Sequence, residues 1–331
     1  MRTSCNAQNE PPLTGTERKG RVDIILATYN GGRFVEQQID SILGQMRSGH
    51  RLLIRDDGST DNTLSVLQHF ASSNPDKIVL IDDKLPQLGA CQSFGRLLEI
   101  SDADYVTFCD QDDVWLPGRI DKPLERIQTV EKQIGADTPV LAHSDLVVVD
   151  ESLRPLAPSF WSYSNLDPYA GNKLNRLLVQ NVVTGCATMV NRSLARLACP
   201  IPVAAPLHDW WLALVASAFG QIVNIPDSTV LYRQHGRNQL GATRYDWRYK
   251  IRRINDVVFH HGLTTRLQTA QRQAKELLEK YAADLNRTHQ TVIADFLRLR
   301  QVSFLCRRRL MLQHGFWGTG RLRNLGWLLM A

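Results

Sequence analysis

Hydrophobic and polar positions alternate between two rhythms along the first third of the chain. Short apolar runs that suit buried strands recur at Val22–Ala27, Arg51–Arg55, Ile78–Ile81 and Tyr105–Cys109. Between them lie stretches with helical spacing. Phe34, Val35, Ile39, Ile42 and Leu43 fall on one face of a helix reaching about Gln45. Leu64, Val66, Leu67 and Phe70 mark a second helix, which Ser59 or Thr60 could cap, and Phe94, Leu97 and Leu98 a third. Strand–helix alternation of this kind predicts an α/β fold, a mostly parallel sheet with helices on both faces. After about residue 139 the rhythm loosens. Val140–Ala142, Leu146–Val149, Thr184–Val190 and Gln221–Ile225 read as further strands, and beyond Tyr245 the chain turns helical up to about Gln313.

Parallel sheets of this type bind ligands beyond the carboxyl ends of their strands. Three strand ends carry polar or acidic clusters: Thr28-Tyr29-Asn30, Asp56-Asp57 and Asp110-Gln111-Asp112-Asp113. Asp110 and Asp112 bring two carboxylates close together, which costs free energy unless a cation or hydrogen-bond donors compensate. A hard cation such as Mg²⁺ or Mn²⁺ does so readily, although D-x-D alone also describes a pair of solvated turn aspartates. On local chemistry Asp56–Asp61 reads first as a turn and helix cap, with a metal loop or a carboxylate for a nucleobase or ribose as the other readings. Neither G-x-G-x-x-G nor G-x-x-x-x-G-K-[ST] follows the first strand, which argues against a dinucleotide oxidoreductase and a P-loop NTPase.

The order and spacing of Thr28-Tyr29-Asn30-Gly31, Asp56-Asp57-Gly58-Ser59-Thr60-Asp61 and Asp110-Gln111-Asp112-Asp113-Val114-Trp115 with Pro117 resemble the family 2 glycosyltransferases of the GT-A fold. The likeness continues through Val183–Thr188, His208-Asp209-Trp210-Trp211 and Tyr232–Asn238, and so spans about residues 21–240. These later motifs look most like bacterial rhamnosyltransferase-type members that build O-antigen and related polysaccharides. The resemblance implies a nucleotide-sugar pocket lined by Thr28, Tyr29, Asn30, Asp57, Asp110 and Gln111. It implies Asp112 as the metal carboxylate, with Mg²⁺ or Mn²⁺ as cofactor, and His235 as a further metal ligand. Asp209 takes the place of the catalytic base, and His208 stands where the family usually has Glu. The implied reaction is inverting transfer of L-rhamnose from dTDP-L-rhamnose to a glycan or lipid-linked glycan. The alternatives weighed beside it are a sugar nucleotidyltransferase and a non-enzymatic nucleic-acid-binding protein. The first should carry a Gly-rich basic loop after strand one, which Thr28–Arg33 matches poorly. The second lacks an RNA-recognition or OB-fold signature.

Composition adds one further division. The 331 residues are 43% hydrophobic and 22% charged, ordinary for a globular chain, with a formal net charge of +6. From Arg233 onward there are 19 Lys plus Arg against 6 Asp plus Glu, so the net basicity belongs to the C-terminal part and the rest is acidic. Basic residues from Arg298 to Arg323 are interleaved with Phe304, Leu305, Leu312, Phe316, Trp317 and Trp327, a pattern suited to an anionic membrane surface. The same pattern also suits helices packed on the domain or on a second subunit. Polar residues 1–20 read as a disordered lead-in, 21–240 as the GT-A domain and 241–331 as a basic helical extension. The longest apolar run, Trp210–Phe219, is about half a membrane span, and the first residues lack a signal-peptide core. A cytoplasmic protein, peripheral on the inner face of the plasma membrane and with reduced cysteines, is the expectation; no nucleic-acid partner is expected.

Overall fold

The computed structural model describes residues 20–236, 261–320, 324 and 327–328. The lead-in up to residue 19, the end of the last motif from Arg237 and the tail positions Arg321, Arg323 and Leu325 lie outside the described residues.

The first half follows the strand–helix alternation closely: β1 (Val22–Thr28), α1 (Val35–Leu43), β2 (Arg51–Asp56), α2 (Thr63–Ser73), β3 (Ile78–Leu80), α3 (Ala90–Ile100) and β4 (Tyr105–Cys109). Strands β3, β2, β1 and β4 are neighbours in that order and all parallel. Period-two alternation divides their side chains between two cores. Ile24, Leu26, Leu52 and Ile54 meet α1, α2 and α4, whereas Ile25, Leu53, Val106 and Phe108 face α3 and the later helices. Asp23 is buried near the start of β1, matched by two bonds from Arg51 (3.0 and 2.7 Å) and one from Ser101 (2.7 Å).

The second half extends the sheet through β5 (Val114–Trp115), α4 (Asp121–Ile134), β6 (Val140–Val149), β7 (Pro155–Ala157), short helices α5 (Phe160–Tyr163), α6 (Pro168–Gly171) and α7 (Leu174–Leu177), a 3-10 turn (Gly185–Ala187), β8 (Thr188–Asn191), α8 (Arg192–Ala198), α9 (His208–Phe219) and β9 (Gln221–Arg233). Strand β8 enters antiparallel between β4 and β6, and β9 runs parallel to β6. The two strands expected at 140–142 and 146–149 are one. The polar interruption His143-Ser144-Asp145 stays inside the strand because each side chain finds a partner: Asn224 at 2.8 Å, Thr229 at 2.5 Å, and Ser159 with the Trp161 N–H. The cap expected for α2 also differs. The helix starts at Thr63, after Ser59 and Thr60 have turned to Asp56 and Asn30.

Three C-terminal helices, α10 (His261–Lys280), α11 (Arg287–Arg298) and α12 (Phe304–His314), complete the described chain. Leu267, Ala274, Leu277, Ile293, Phe296, Met311 and Phe316 join α9 in one continuous core. Tyr281 lies 6.3 Å from Trp211, and Lys280 donates to the carbonyls of Ala198, Cys199 and Pro200. No described helix is long and apolar enough to cross a membrane.

Candidate active site

Because β1 lies between β2 and β4, their carboxyl ends deliver the three polar clusters side by side. Thr28, closing β1, is paired in register with Asp56, and its hydroxyl donates to the Asp56 carboxylate at 2.8 Å. Tyr29 is 45% exposed at the mouth, yet its backbone is clamped: its N–H donates to Gln111 Oε1 at 2.8 Å and its carbonyl accepts from Gln111 Nε2 at 3.0 Å. Gln111 therefore acts on the pocket by holding Tyr29. A Cβ at Gly31 would run into the Gln111 amide, so a side chain there would displace that clamp. Asn30 adopts φ +49°, with its side-chain oxygen accepting from the Thr60 N–H at 2.8 Å.

Asp57 turns toward the segment before α3. Its carboxylate accepts from the Leu88 and Gly89 N–H groups, both at 2.8 Å, and from Arg55 at 2.5 Å. Burial pushes this carboxyl up, but those hydrogen bonds outweigh it and hold it below the usual carboxylate range. Arg55 is itself buried and also reaches Asp83, so Asp57 belongs to a braced ion-pair network at the end of β2. Sequence reasoning missed Arg55; an arginine closing an apolar strand, directly before the Asp56-Asp57 pair, was the available signal.

The acidic loop after β4 divides its aspartates by task. Asp113 is fully buried and accepts from the Arg233 N–H at 3.0 Å. Burial, with Asp112 and Asp110 nearby, pushes its carboxyl well up. Asp112 is partly buried, and its Oδ2 lies 2.7 Å from His235 Nε2. His235 stacks on Phe34 at 4.9 Å, and the Arg233 guanidinium sits 4.6 Å over the same ring while donating to the Asp112 carbonyl at 2.7 Å. Thus the last motif, at the end of β9, folds back onto the acidic loop and brings together the two residues expected to hold a metal. The carboxylate oxygen suits Mg²⁺ or Mn²⁺, whereas the imidazole nitrogen favours a transition ion such as Mn²⁺ over Mg²⁺. Asp110, Asp113 and Cys186 form a second cluster whose ligand atoms lie within 4.8 Å of one another.

Asp209 enters from the first turn of α9, where helix N–H groups favour a carboxylate. Asn181 donates to its Oδ1 at 3.1 Å. Burial nevertheless pushes it up to about 7, against the hydrogen bonds from Trp210, Gly185 and Asn181. Asp110 is also pushed up to about 7, by burial and then by the charges of Asp112 and Asp209, which places aspartates from distant segments in one electrostatic neighbourhood. His208 is no substitute for an acidic side chain. It is wedged between Phe94 (4.2 Å) and Phe108 (5.0 Å), and burial pushes it down to about 3, so it is neutral. Cys186 is 1% exposed with its thiol pushed well up, chiefly by burial, as expected of a packed small residue. Trp211 is fully buried with its indole N–H on the Ala198 carbonyl, and Trp210 donates to the Leu177 carbonyl, so both flanking tryptophans brace Asp209 from the core side.

The glycosyl transferase family 2 model matches residues 23–197, more than half of the chain. The chain belongs to glycosyl transferase family 2. Membership decides for glycosyl transfer over the nucleotidyltransferase and nucleic-acid alternatives. The dTDP-rhamnosyl transferase RfbG of Shigella flexneri is 27% identical over 241 residues, covering 70% of this chain and 78% of that protein. The putative glycosyltransferase EpsE of Bacillus subtilis is 29% identical over 138 residues, 42% of this chain and about half (49%) of that protein. Among solved structures, S. aureus TarS 1–349 in complex with UDP-GlcNAc superposes with a TM-score of 0.56 at 14% identity, covering 88% of this chain and 79% of TarS 1–349. That likeness carries the fold, the GT-A arrangement expected from the motifs. In that fold the acidic loop follows β4 and Asp209 opens α9.

Proposed function

We propose that this family 2 enzyme transfers L-rhamnose from dTDP-L-rhamnose, with inversion, to a glycan or lipid-linked glycan during assembly of a bacterial surface polysaccharide. The observation that carries the reading is the meeting of the acidic loop and the α9 carboxylate at the 3-10 turn: Cys186 has its ligand atom within 4.8 Å of those of Asp110 and Asp113, while the neighbouring Gly185 N–H donates to Asp209. The rhamnosyl assignment is supported by the 27% identity to RfbG and by the late motifs around Asp209 and His235. Thr28, Tyr29, Asn30 and Asp57 bound the nucleotide end, with Gln111 fixing the Tyr29 backbone. Asp112 and His235 would hold Mg²⁺ or Mn²⁺, which supplies charge neutralisation for a leaving diphosphate. Asp110 borders that pair. Asp209, steadied by Asn181, accepts the acceptor hydroxyl proton as the new bond forms. Its raised affinity for protons makes it a better base than an ordinary carboxylate. One in-line displacement needs no covalent nucleophile, in keeping with the inert setting of Cys186. We assign the chemistry to residues 21–240 and the role of completing the core to 241–331, in a cytoplasmic enzyme peripheral to the inner face of the plasma membrane.

A donor screen tests this reading. With Mn²⁺ or Mg²⁺, dTDP-L-rhamnose is expected to release nucleoside diphosphate faster than UDP-glucose, UDP-GlcNAc or GDP-mannose. A faster release from another donor removes the rhamnosyl assignment, and no release from any removes the catalytic reading. Asp112→Ala is expected to abolish the metal dependence of donor binding in a titration with dTDP. Equal affinity of the wild type with and without Mn²⁺ would count against the metal role.

A further inference from the structure

Helix α12 keeps large apolar side chains in the open although its neighbours bury theirs. Phe304 is 46%, Leu305 76% and Leu312 67% exposed. Helical spacing places Leu305, Arg308, Arg309 and Leu312 on one stripe, with Phe304 at its border. The opposite stripe faces inward: Leu310 and Met311 are buried, and His314 Nε2 meets Asp295 Oδ2 at 2.8 Å. The helix therefore has an apolar face on each side, and among the described residues only one of them is used by the fold.

The outer face is also cationic. Helix α12 contains Arg307, Arg308 and Arg309 and no Asp or Glu. Arg307 turns inward to the Leu299 carbonyl at 2.7 Å. Arg308 lies 3.8 Å over the Phe304 ring, and Arg309 is exposed. Asp295 is engaged by Arg298 and His314, so it does not neutralise this stripe.

We propose that the outer face of α12 docks the enzyme onto an anionic lipid bilayer. Leucine and phenylalanine tips enter the headgroup boundary while the long arginine stems carry their guanidinium groups to the lipid phosphates. An 11-residue helix with three apolar anchors gives weak, reversible attachment rather than insertion. The helix is fixed to the rest of the enzyme: Asn175, in α7, donates to the carbonyls of His314 (2.7 Å) and Gly315 (3.1 Å), and Leu177 of the same helix accepts from Trp210, next to Asp209. Docking α12 thereby orients the base-bearing helix relative to the bilayer. This deepens the peripheral location proposed above by naming the surface, and vesicle binding is read without any substrate.

The full chain is tested by flotation with vesicles of equimolar phosphatidylcholine and phosphatidylglycerol, and with phosphatidylcholine alone. The wild type is expected to float with the anionic vesicles, to bind neutral ones roughly tenfold more weakly, and to detach as salt rises. Arg308→Gln/Arg309→Gln and Leu305→Glu/Leu312→Glu are each expected to lose roughly tenfold or more in binding. An unchanged melting midpoint shows that these surface variants fold. Failure of the wild type to bind anionic vesicles, or equal binding by Leu305→Glu/Leu312→Glu, overturns the proposal. So does a wild-type dimer in sedimentation that the leucine variant dissociates, with no vesicle binding. Loss of vesicle binding with sugar-nucleotide turnover intact touches only the docking surface.

Discussion

Asp209 illustrates how one side chain carries opposing demands. The folded enzyme holds its proton up to about pH 7 against an ordinary 3.8, so between those values the folded state binds more protons than the unfolded chain. Its contribution to stability therefore falls as pH rises from about 4 to 7. His208 and His143, pushed down to about 3 and 4 by burial, act in the opposite sense, losing stability as pH falls below their ordinary 6.5. Comparing variants isolates the aspartate. Asp209→Asn is expected to raise stability by on the order of 1 kcal/mol at pH 8 and to leave it nearly unchanged at pH 4, checked by thermal melts. The same variant should lower transfer by about 10²–10⁴-fold with donor affinity nearly intact. Transfer at near wild-type rate would remove Asp209 as the base. In the wild type, kcat/KM should rise with pH through about 7. Gly185 is the other sensitive residue: a Cβ there would lie 2.7 Å from His208 Nε2 and 3.5 Å from Asp209 Oδ2. Gly185→Ala is expected to cost about 1–3 kcal/mol and to reduce kcat, measured by denaturant melts and turnover.

At the scale of elements, the acidic loop depends on a buried arginine that carries no catalytic signature. Arg119 is fully buried and donates to the carbonyls of Phe108, Cys186 and Thr188 at 3.0–3.3 Å, joining the end of β4 to the 3-10 turn and β8. Its guanidinium also lies 5.1 Å over Trp115, and burial pushes its pKa down to about 10. A planar fork serves several carbonyls at once, which an ammonium cannot. Arg119→Lys is expected to cost about 2 kcal/mol in denaturant melts and to reduce turnover through the displaced loop. Elements also differ in how legible they were. Strands β1 to β4 and their helices follow from periodicity because each apolar run is short, uninterrupted and bounded by turns. Strand β6 was read as two because His143, Ser144 and Asp145 look like a break until Asn224, Thr229 and Ser159 supply their partners from distant segments.

For the molecule as a whole, the C-terminal helices are the main revision to the charge-based picture. Of the apolar residues interleaved with arginines, Phe296 and Phe316 are fully buried and pack at 5.4 Å, and Trp327 is 8% exposed. Among the described residues, most of that pattern thus serves the core around α9, and the outer stripe of α12 remains for a surface. Deleting residues 261–331 would uncover Trp211 and its neighbours, so the truncated chain is expected to be insoluble or to lack a cooperative melt. A soluble truncation with a sharp melting transition would show that residues 21–260 fold alone.

The local pattern by itself determined the α/β alternation, the three polar strand ends and, through motif order, the family. These follow from information within a few residues: a period of two or 3.6, a turn, an acidic cluster. Tertiary structure alone decided that Asp112 meets His235 from 123 positions away, that Asn181 steadies Asp209, and that His208 is a neutral wedge. It also separated the buried apolar face of the tail from the exposed one. Such pairings depend on which strand ends the sheet order brings together and on which groups lose water, and neither is written in local spacing.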